Sequence, residues 1–159
     1  MKKFHWAILP LFPLLLLACT PPADLSDQTC FSPNHRTTWQ ADDYGMKPFV
    51  MAFLKSGPNR SQSPDERNAL QQAHMANIER MAAAGQLVLA GPFLDGGDIR
   101  GIYVFNTADT AEARVWTATD PAIEAGSLSM ELHPWYGSAA LMAINDLHNL
   151  IQVRGITEE

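Results

Sequence analysis

The chain is short of cysteine, of basic residues and of long apolar runs, and each shortage excludes a class of protein. Two cysteines in 159 residues cannot build a disulfide framework. Lysine and arginine number 11 against 17 acidic residues, and a formal net charge of −6 without a basic cluster argues against nucleic-acid binding. The main apolar stretch, residues 6–17, is far shorter than the ~20 residues of a transmembrane helix and contains Pro10 and Pro13.

The N-terminus has the features of a targeting segment. Lys2 and Lys3 precede the apolar stretch, which ends in the run Leu-Leu-Ala-Cys at Cys19. Residues 1–18 resemble the signal peptides of bacterial lipoproteins. The resemblance implies cleavage before Cys19, a diacylglycerol on its sulfur and acylation of the new amine, and several acyl chains anchor a protein stably. Because Thr20 rather than an aspartate follows, it favours the outer membrane over the inner, with the protein facing the periplasm.

Residues 19–45 are predicted to be a flexible tether between the lipid and the folded domain. The segment is rich in proline, serine, threonine and aspartate, a composition that rarely forms a core of its own. Once Cys19 carries lipid, Cys30 is an odd thiol in an export compartment, and His35 is the only activator nearby in sequence. We interpret Cys30 as incidental or as the source of an intermolecular disulfide rather than as catalytic.

Residues 46–137 carry the patterns of one folded domain. Residues 49–54 are apolar on both alternating faces, as in a central strand that is covered on both sides. Apolar periodicity and turn residues predict the other elements: strands at 86–90, 99–105 and 127–133, and helices at 64–84 and 108–119. The order βαββαβ is that of an α+β, ferredoxin-like fold with both helices on one face of an antiparallel sheet.

The ends and buried sides of the two helices are also predicted. Ser63 is a suitable N-cap, followed by Pro64 at the first helical position and by Glu66 at capping-box spacing, and Gly85 lies just past the end. On the second helix the predicted buried residues are Ala111, Val115 and Ala118.

Residues 138–153 are predicted to form an additional amphipathic helix, followed by a short tail at 154–159. Two helices can cover only one face of the sheet, so the second apolar face of the first strand needs another cover. The additional helix either covers the sheet or joins a contact between subunits.

The position of His74 in the sequence most needs an explanation, because a polar ring is predicted to face the core. It lies in an apolar stripe with Leu70, Ile78 and Met81, at spacings of four, four and three residues, so its ring faces inward. One interpretation is a core histidine that is satisfied by a single hydrogen bond. The other is a functional histidine, whose ordinary pKa suits it to proton transfer near neutral pH.

Several landmarks follow His74 in order: Gly91-Pro92 after a short strand, then Asp120-Pro121, then Ala125-Gly126. With these landmarks, residues 47–135 resemble the YCII-related family of small α+β domains. The resemblance implies that His74 and Asp120 meet in a cleft, with Gly91 and Pro92 at the wall that contacts the substrate. It also implies a homodimer in which two sheets pack face to face as a dimeric α/β barrel.

Asp120 itself has two interpretations. Pro121 keeps it out of the helical conformation, so its carboxylate can cap the following turn. Alternatively, the carboxylate accepts a hydrogen bond from one ring nitrogen of His74 and leaves the other nitrogen for proton transfer. No serine or cysteine lies in a recognisable nucleophile motif, so the second interpretation indicates acid–base chemistry without a covalent intermediate. Elimination, isomerisation or hydration of a small organic substrate fits, with no cofactor.

Other polar and aromatic residues have simpler interpretations. His74, Asp120 and His133 lack the short ligand spacing of a metal motif, so no metal site is predicted. Trp116 and Trp135 are expected to pack. The leading hypothesis is a lipid-anchored acid–base enzyme that binds a small molecule. The alternatives are a non-catalytic ligand-binding module and an envelope scaffold that serves a protein partner.

Overall fold

This computed structural model describes residues 34–155 and 157 of the chain. The described part contains four strands, five α-helices and a short 3-10 helix. The strands are β1 Met46–Ser56, β2 Leu87–Pro92, β3 Ile99–Phe105 and β4 Leu128–Ser138. The helices are α1 His35–Thr38, α2 Pro64–Ala83, α3 Thr110–Thr117, α4 Pro121–Glu124, the 3-10 helix Ala139–Ala143 and α5 Ile144–Ile151. The signal peptide, Cys19 and Cys30 lie outside the described residues. None of the helices described is long and apolar enough to cross a membrane.

The strands form one antiparallel sheet in the order β2-β3-β1-β4. This is the strand order of the ferredoxin-like fold, and the predicted α+β class is confirmed. The register places Ala90, Tyr103, Ala52 and Leu132 side by side across the four strands. Because side chains alternate along a strand, these four residues lie on one face, the face that the long helices cover.

The predicted ends of α2 are confirmed. The backbone N–H of Glu66 donates to the Ser63 hydroxyl at 3.3 Å, and the Glu66 carboxylate accepts from the Ser63 N–H at 2.6 Å. These reciprocal bonds satisfy two donors that the first helical turn leaves free. At the other end Gly85 has a φ of +69°, a conformation that closes the helix and suits glycine.

The principal core lies between the helices and the sheet. Its buried members include Tyr103 and Phe105 of β3 and Met81 of α2, with Ile78 and Trp116 packed against them. Trp116 contacts Phe105 with ring centroids 5.9 Å apart, so its predicted packing role is confirmed. His74 is buried on the same side of α2 as Met81.

Two sequence predictions about individual elements are wrong. α3 begins at Thr110 with Asp109 as its N-cap, and it buries Ala113 and Thr117. The predicted residues therefore lie on the solvent side: Val115 is 67% exposed, and Ala111 and Ala118 are also exposed. The β2 strand continues through Gly91 and Pro92, which pair with Ile102 and Gly101, so the pair is not a turn.

The second face of the sheet is covered in part by the C-terminal segment. The predicted single helix over 138–153 is divided into the 3-10 helix and α5. Leu141 and Met142 pack against a small cluster formed by Phe49, Val88 and Val104. The Asn145 side chain donates to the Leu87 carbonyl at 2.8 Å and fixes the start of α5. Met51 and Phe53, further along β1, stay half-buried.

Residues 34–45 were predicted to belong to the tether, and in the structure they are attached to the domain. The Asp42 N–H donates to the Met46 carbonyl at 2.8 Å, and the Ala139 N–H donates to the Gly45 carbonyl at 2.9 Å. The Tyr136 hydroxyl also donates to the Asp42 carboxylate. These bonds form because Asp42 and Gly45 lie beside the paired ends of β1 and β4.

Candidate active site

His74 and Asp120 meet inside the domain. His74 Nδ1 lies 2.7 Å from Asp120 Oδ2, although the two residues are 46 positions apart in sequence. The exposed fraction is 6% for His74 and 0% for Asp120. A carboxylate that is removed from water needs hydrogen-bond partners, and the His74 ring supplies one.

Asp120 fulfils both of the roles that the sequence suggested. Its backbone is extended, with φ −82° and ψ 118°, as expected before Pro121. Oδ1 accepts a hydrogen bond from the Ala122 N–H at 2.9 Å and caps α4, while Oδ2 faces His74. The cap fixes the direction of the carboxylate, and the histidine bond uses the oxygen that remains.

Tyr103 is a third member of the site that the sequence analysis missed. Its hydroxyl lies 3.4 Å from His74 Nε2, and the residue is 1% exposed. Burial raises the pKa of the Tyr103 hydroxyl, and the neighbouring Asp120 carboxylate raises it further. The hydroxyl therefore keeps its proton at any physiological pH and is available as a donor to His74.

The contacts define the tautomer of a neutral His74 ring. A carboxylate only accepts, so Nδ1 carries the proton and donates to Asp120. Nε2 then has a lone pair, which accepts from the Tyr103 hydroxyl. With Nδ1–H donated to Asp120, Nε2 is the ring nitrogen that can exchange a proton.

A network of polar side chains holds the segment before Asp120 against α2. Arg80 donates to the Asn77 side-chain oxygen at 2.9 Å and to the Thr119 hydroxyl at 2.8 Å. The Thr119 hydroxyl also lies 3.2 Å from the same Asn77 oxygen. Asn77 is buried, and it follows His74 by three residues on α2. The network therefore joins the helix that carries His74 to the residue that precedes Asp120.

The other residues singled out in the sequence lie away from this pair. Gly91 and Pro92 are on the edge strand β2, next to Ala90, which pairs with Tyr103. His133 is exposed on β4, and its Nε2 lies 3.0 Å from a Glu131 oxygen. Within the described residues no three His, Cys, Asp or Glu side chains are grouped as metal ligands. Arg100 donates to the backbone carbonyls of Gly96 and Gly97.

The chain belongs to the YCII-related domain family, whose model matches residues 49–136. The matched segment runs from β1 to β4 and contains His74, Tyr103 and Asp120. No curated protein matches the chain. One solved structure similar to it is the 5-chloro-2-hydroxyhydroquinone dehydrochlorinase of Burkholderia phenoliruptrix AC1100, in complex with 2,5-dihydroxybenzoquinone. The two are 21% identical with a TM-score of 0.41, over 54% of this chain and 92% of that chain.

The raised pKa of Tyr103 predicts how stability depends on alkaline pH. The folded protein keeps the phenol proton after an unfolded tyrosine has lost its own, near pH ~10. The stabilisation that Tyr103 provides should therefore be constant below about pH 10 and fall by up to ~1.4 kcal/mol for each pH unit above it. Urea unfolding of the wild type and Tyr103→Phe measures this difference. A free-energy gap that stays constant from neutral pH through the alkaline range would contradict the burial of this hydroxyl.

Proposed function

We propose that the protein is an acid–base enzyme in which His74 Nε2 exchanges a proton with a small organic substrate, without a cofactor. The observation that supports this most directly is the 2.7 Å contact between His74 Nδ1 and the buried Asp120 carboxylate. That contact fixes the ring and leaves its second nitrogen as the base. Elimination, isomerisation and hydration all need one positioned proton carrier and no covalent intermediate.

Each of the three side chains has a distinct part in this proposal. His74 Nε2 accepts a proton from the substrate and returns it to the product or its leaving group. The Asp120 carboxylate stabilises the imidazolium that forms. The Tyr103 hydroxyl occupies Nε2 when no substrate is present and turns aside when the substrate approaches. A hydroxyl that remains protonated can also donate a hydrogen bond to a developing negative charge.

A non-catalytic ligand-binding module is the second candidate. The observation that favours it is the enclosure of His74 and Tyr103, which are 6% and 1% exposed. An Asp–His–Tyr group that stays closed would stabilise the domain without turnover. The third hypothesis, an envelope scaffold, draws on the exposed apolar side chains of α5, of which Leu150 is 80% exposed.

The catalytic proposal predicts that proton exchange depends on His74. The wild-type protein is incubated in D₂O with a panel of small enolisable ketones and β-halo ketones, and NMR records deuterium incorporation and elimination. Replacement of His74 by glutamine should lower the rate on any compound turned over by roughly 10²–10⁴-fold, the usual contribution of a general base. His133→Gln is the matched control, since that histidine is exposed and bonds Glu131. Equal activity of His74→Gln and wild type would favour the binding module.

We also propose that the mature chain is anchored through lipid on Cys19, on the periplasmic side and at the outer membrane rather than the inner. The run Leu-Leu-Ala-Cys at Cys19 and the absence of a basic cluster in the sequence support attachment through lipid. In this arrangement residues 20–33 connect the lipid to the first described residues of the domain.

The mature chain is further proposed to be a homodimer through the second sheet face. Met51 and Phe53 are half-buried there, beyond the area that the 3-10 helix covers. Sedimentation at micromolar concentration should give twice the mass of one chain, and Phe53→Lys should shift the protein toward the monomer. Val115→Lys, a change at a site that is 67% exposed on α3, is the control. A stable wild-type monomer would mean that the C-terminal segment alone covers the second sheet face.

A further inference from the structure

We propose that the cleft between the start of α2 and the end of α4 binds a small uncharged molecule that carries an oxygen acceptor. The cleft has a volume of about 440 Å³ and is lined by Asn59, Gln62, Glu66, Ala69, Leu70 and Ala125. Its interpretation as a substrate site rests on the proposed function, and the lining then indicates the class of substrate.

The cleft adjoins the candidate active site along two elements. Leu70 precedes His74 by one turn on the same side of α2, a spacing that brings their side chains to ~5–6 Å. Ala125 is the C-cap of α4, and Asp120 is its N-cap, so the same short helix borders both places. The cleft therefore borders both elements that carry the site, and His74 itself is not among its lining residues.

The walls of the cleft are tied together by backbone contacts. The Asn59 N–H donates to the Gly126 carbonyl at 2.9 Å, and the Asn59 side chain donates to the Ala125 carbonyl at 3.0 Å. Gly57 donates to the Ser127 carbonyl at 2.9 Å, and a Cβ at Gly57 would lie 2.1 Å from the Gly126 oxygen. The loop before α2 and the segment after α4 are thus in direct contact, and the cleft between them has a fixed shape.

Gln62 supplies the polar group that a ligand would satisfy. Its side-chain nitrogen is shielded from solvent and has no hydrogen-bond partner among the residues described. A buried donor without a partner costs ~1–3 kcal/mol, so this amide gains from any acceptor that it reaches. Because Gln62 lines the cleft, a carbonyl or hydroxyl oxygen of a ligand bound there can accept from this amide.

The lining carries one charge, which is negative and disfavours anions, while Arg67 is engaged with the Gln62 carbonyl at 2.6 Å. Glu66 is the one ionisable residue among the six, and hydrogen bonds from the backbone and side chain of Ser63 lower the pKa of its carboxyl, so it is negative at neutral pH. None of the six is lysine or arginine. Ala69, Leu70 and Ala125 add apolar surface. The lining therefore suits an uncharged molecule with one oxygen acceptor and an apolar body.

The test compares acetophenone with benzoate, a molecule of similar size that carries a negative charge. Both are added at millimolar concentrations to the full mature protein, and NMR follows the Leu70 methyl groups and the Gln62 side-chain amide. Acetophenone should shift both sets of signals, and benzoate should bind at least several-fold more weakly. Gln62→Met, which removes the donor at similar size, should weaken acetophenone binding about five- to tenfold, the value of one hydrogen bond. Gln71→Met, on the exposed side of α2, should leave binding unchanged.

The outcomes separate this inference from the acid–base proposal. His74→Gln should abolish turnover and keep acetophenone affinity within about twofold of wild type. Binding without dependence of turnover on His74 would remove the catalytic proposal and leave the ligand site intact. Three results would each overturn the inference: benzoate binding as tightly as acetophenone, no loss of affinity in Gln62→Met, or no shift at Leu70.

Discussion

Replacement of Asp120 by alanine should lower the free energy of unfolding by about 3 kcal/mol. The change removes the cap of α4, worth ~1 kcal/mol, and leaves the His74 Nδ1–H buried without an acceptor, which costs ~1–3 kcal/mol. The space left by the carboxylate adds to the loss, and relief of its desolvation offsets part of it. Asp120 is fully buried and bonds both groups in the structure. Urea unfolding at neutral pH measures the difference.

A double-mutant cycle shows how much of that loss belongs to the contact with the histidine. In a His74→Phe background, Asp120→Ala should cost only about the ~1 kcal/mol of the lost cap, because no ring N–H is then left without an acceptor. An equal loss in the two backgrounds would mean that Asp120 acts as a helix cap alone, as one of its two sequence interpretations has it.

Substitution of Cys19 by serine should release the protein from the membrane fraction or leave it as an unprocessed precursor. Serine has no thiol for the thioether bond, so neither lipid attachment nor the cleavage that follows it should occur. Fractionation of cells that express the full chain, with the mass of the product measured, reveals either outcome. The effect is expected to be nearly complete, since the lipid is the only membrane contact that the sequence indicates.

The matched control is Cys30→Ser, which removes the other thiol and should leave processing and membrane partition unchanged. A Cys19→Ser protein that remains in the membrane fraction with the mass of the mature wild type would contradict lipid anchoring. Release by both substitutions would show that membrane attachment depends on more than Cys19.

The sequence was enough to predict the fold and the two central residues of the site, on grounds that differ. The stripe through Leu70, His74 and Met81 follows helical periodicity, which places a polar ring among core residues. Asp120 was singled out by the resemblance to the family, because the proline after it indicates only an extended backbone and a possible cap. Whether this carboxylate caps a turn or bonds the histidine depends on distances across the fold, and the structure shows that it does both.

The features that were missed depend on contacts between distant segments. In the sequence Tyr103 resembles any other aromatic residue of a buried strand. A buried tyrosine in place of phenylalanine nevertheless indicates that its hydroxyl has a partner. The buried side of α3 was misplaced because alanines lie on more than one side of this helix, and the fold buries Ala113 and Thr117. The two-part C-terminal segment is set by the fit of Leu141 onto the second sheet face, which no local pattern encodes.

The most direct test of the central claim is a long-range ¹H–¹⁵N correlation spectrum of the His74 ring at a pH where the ring is neutral. The Asp120 contact predicts the tautomer with the proton on Nδ1, and the Tyr103 contact predicts an Nε2 signal that reports a hydrogen-bonded lone pair. The same spectrum of Asp120→Asn should show a shift toward the Nε2–H form that dominates in free histidine. A wild-type ring that is already in the Nε2–H form, unchanged by the substitution, would contradict the pairing on which the proposed function rests.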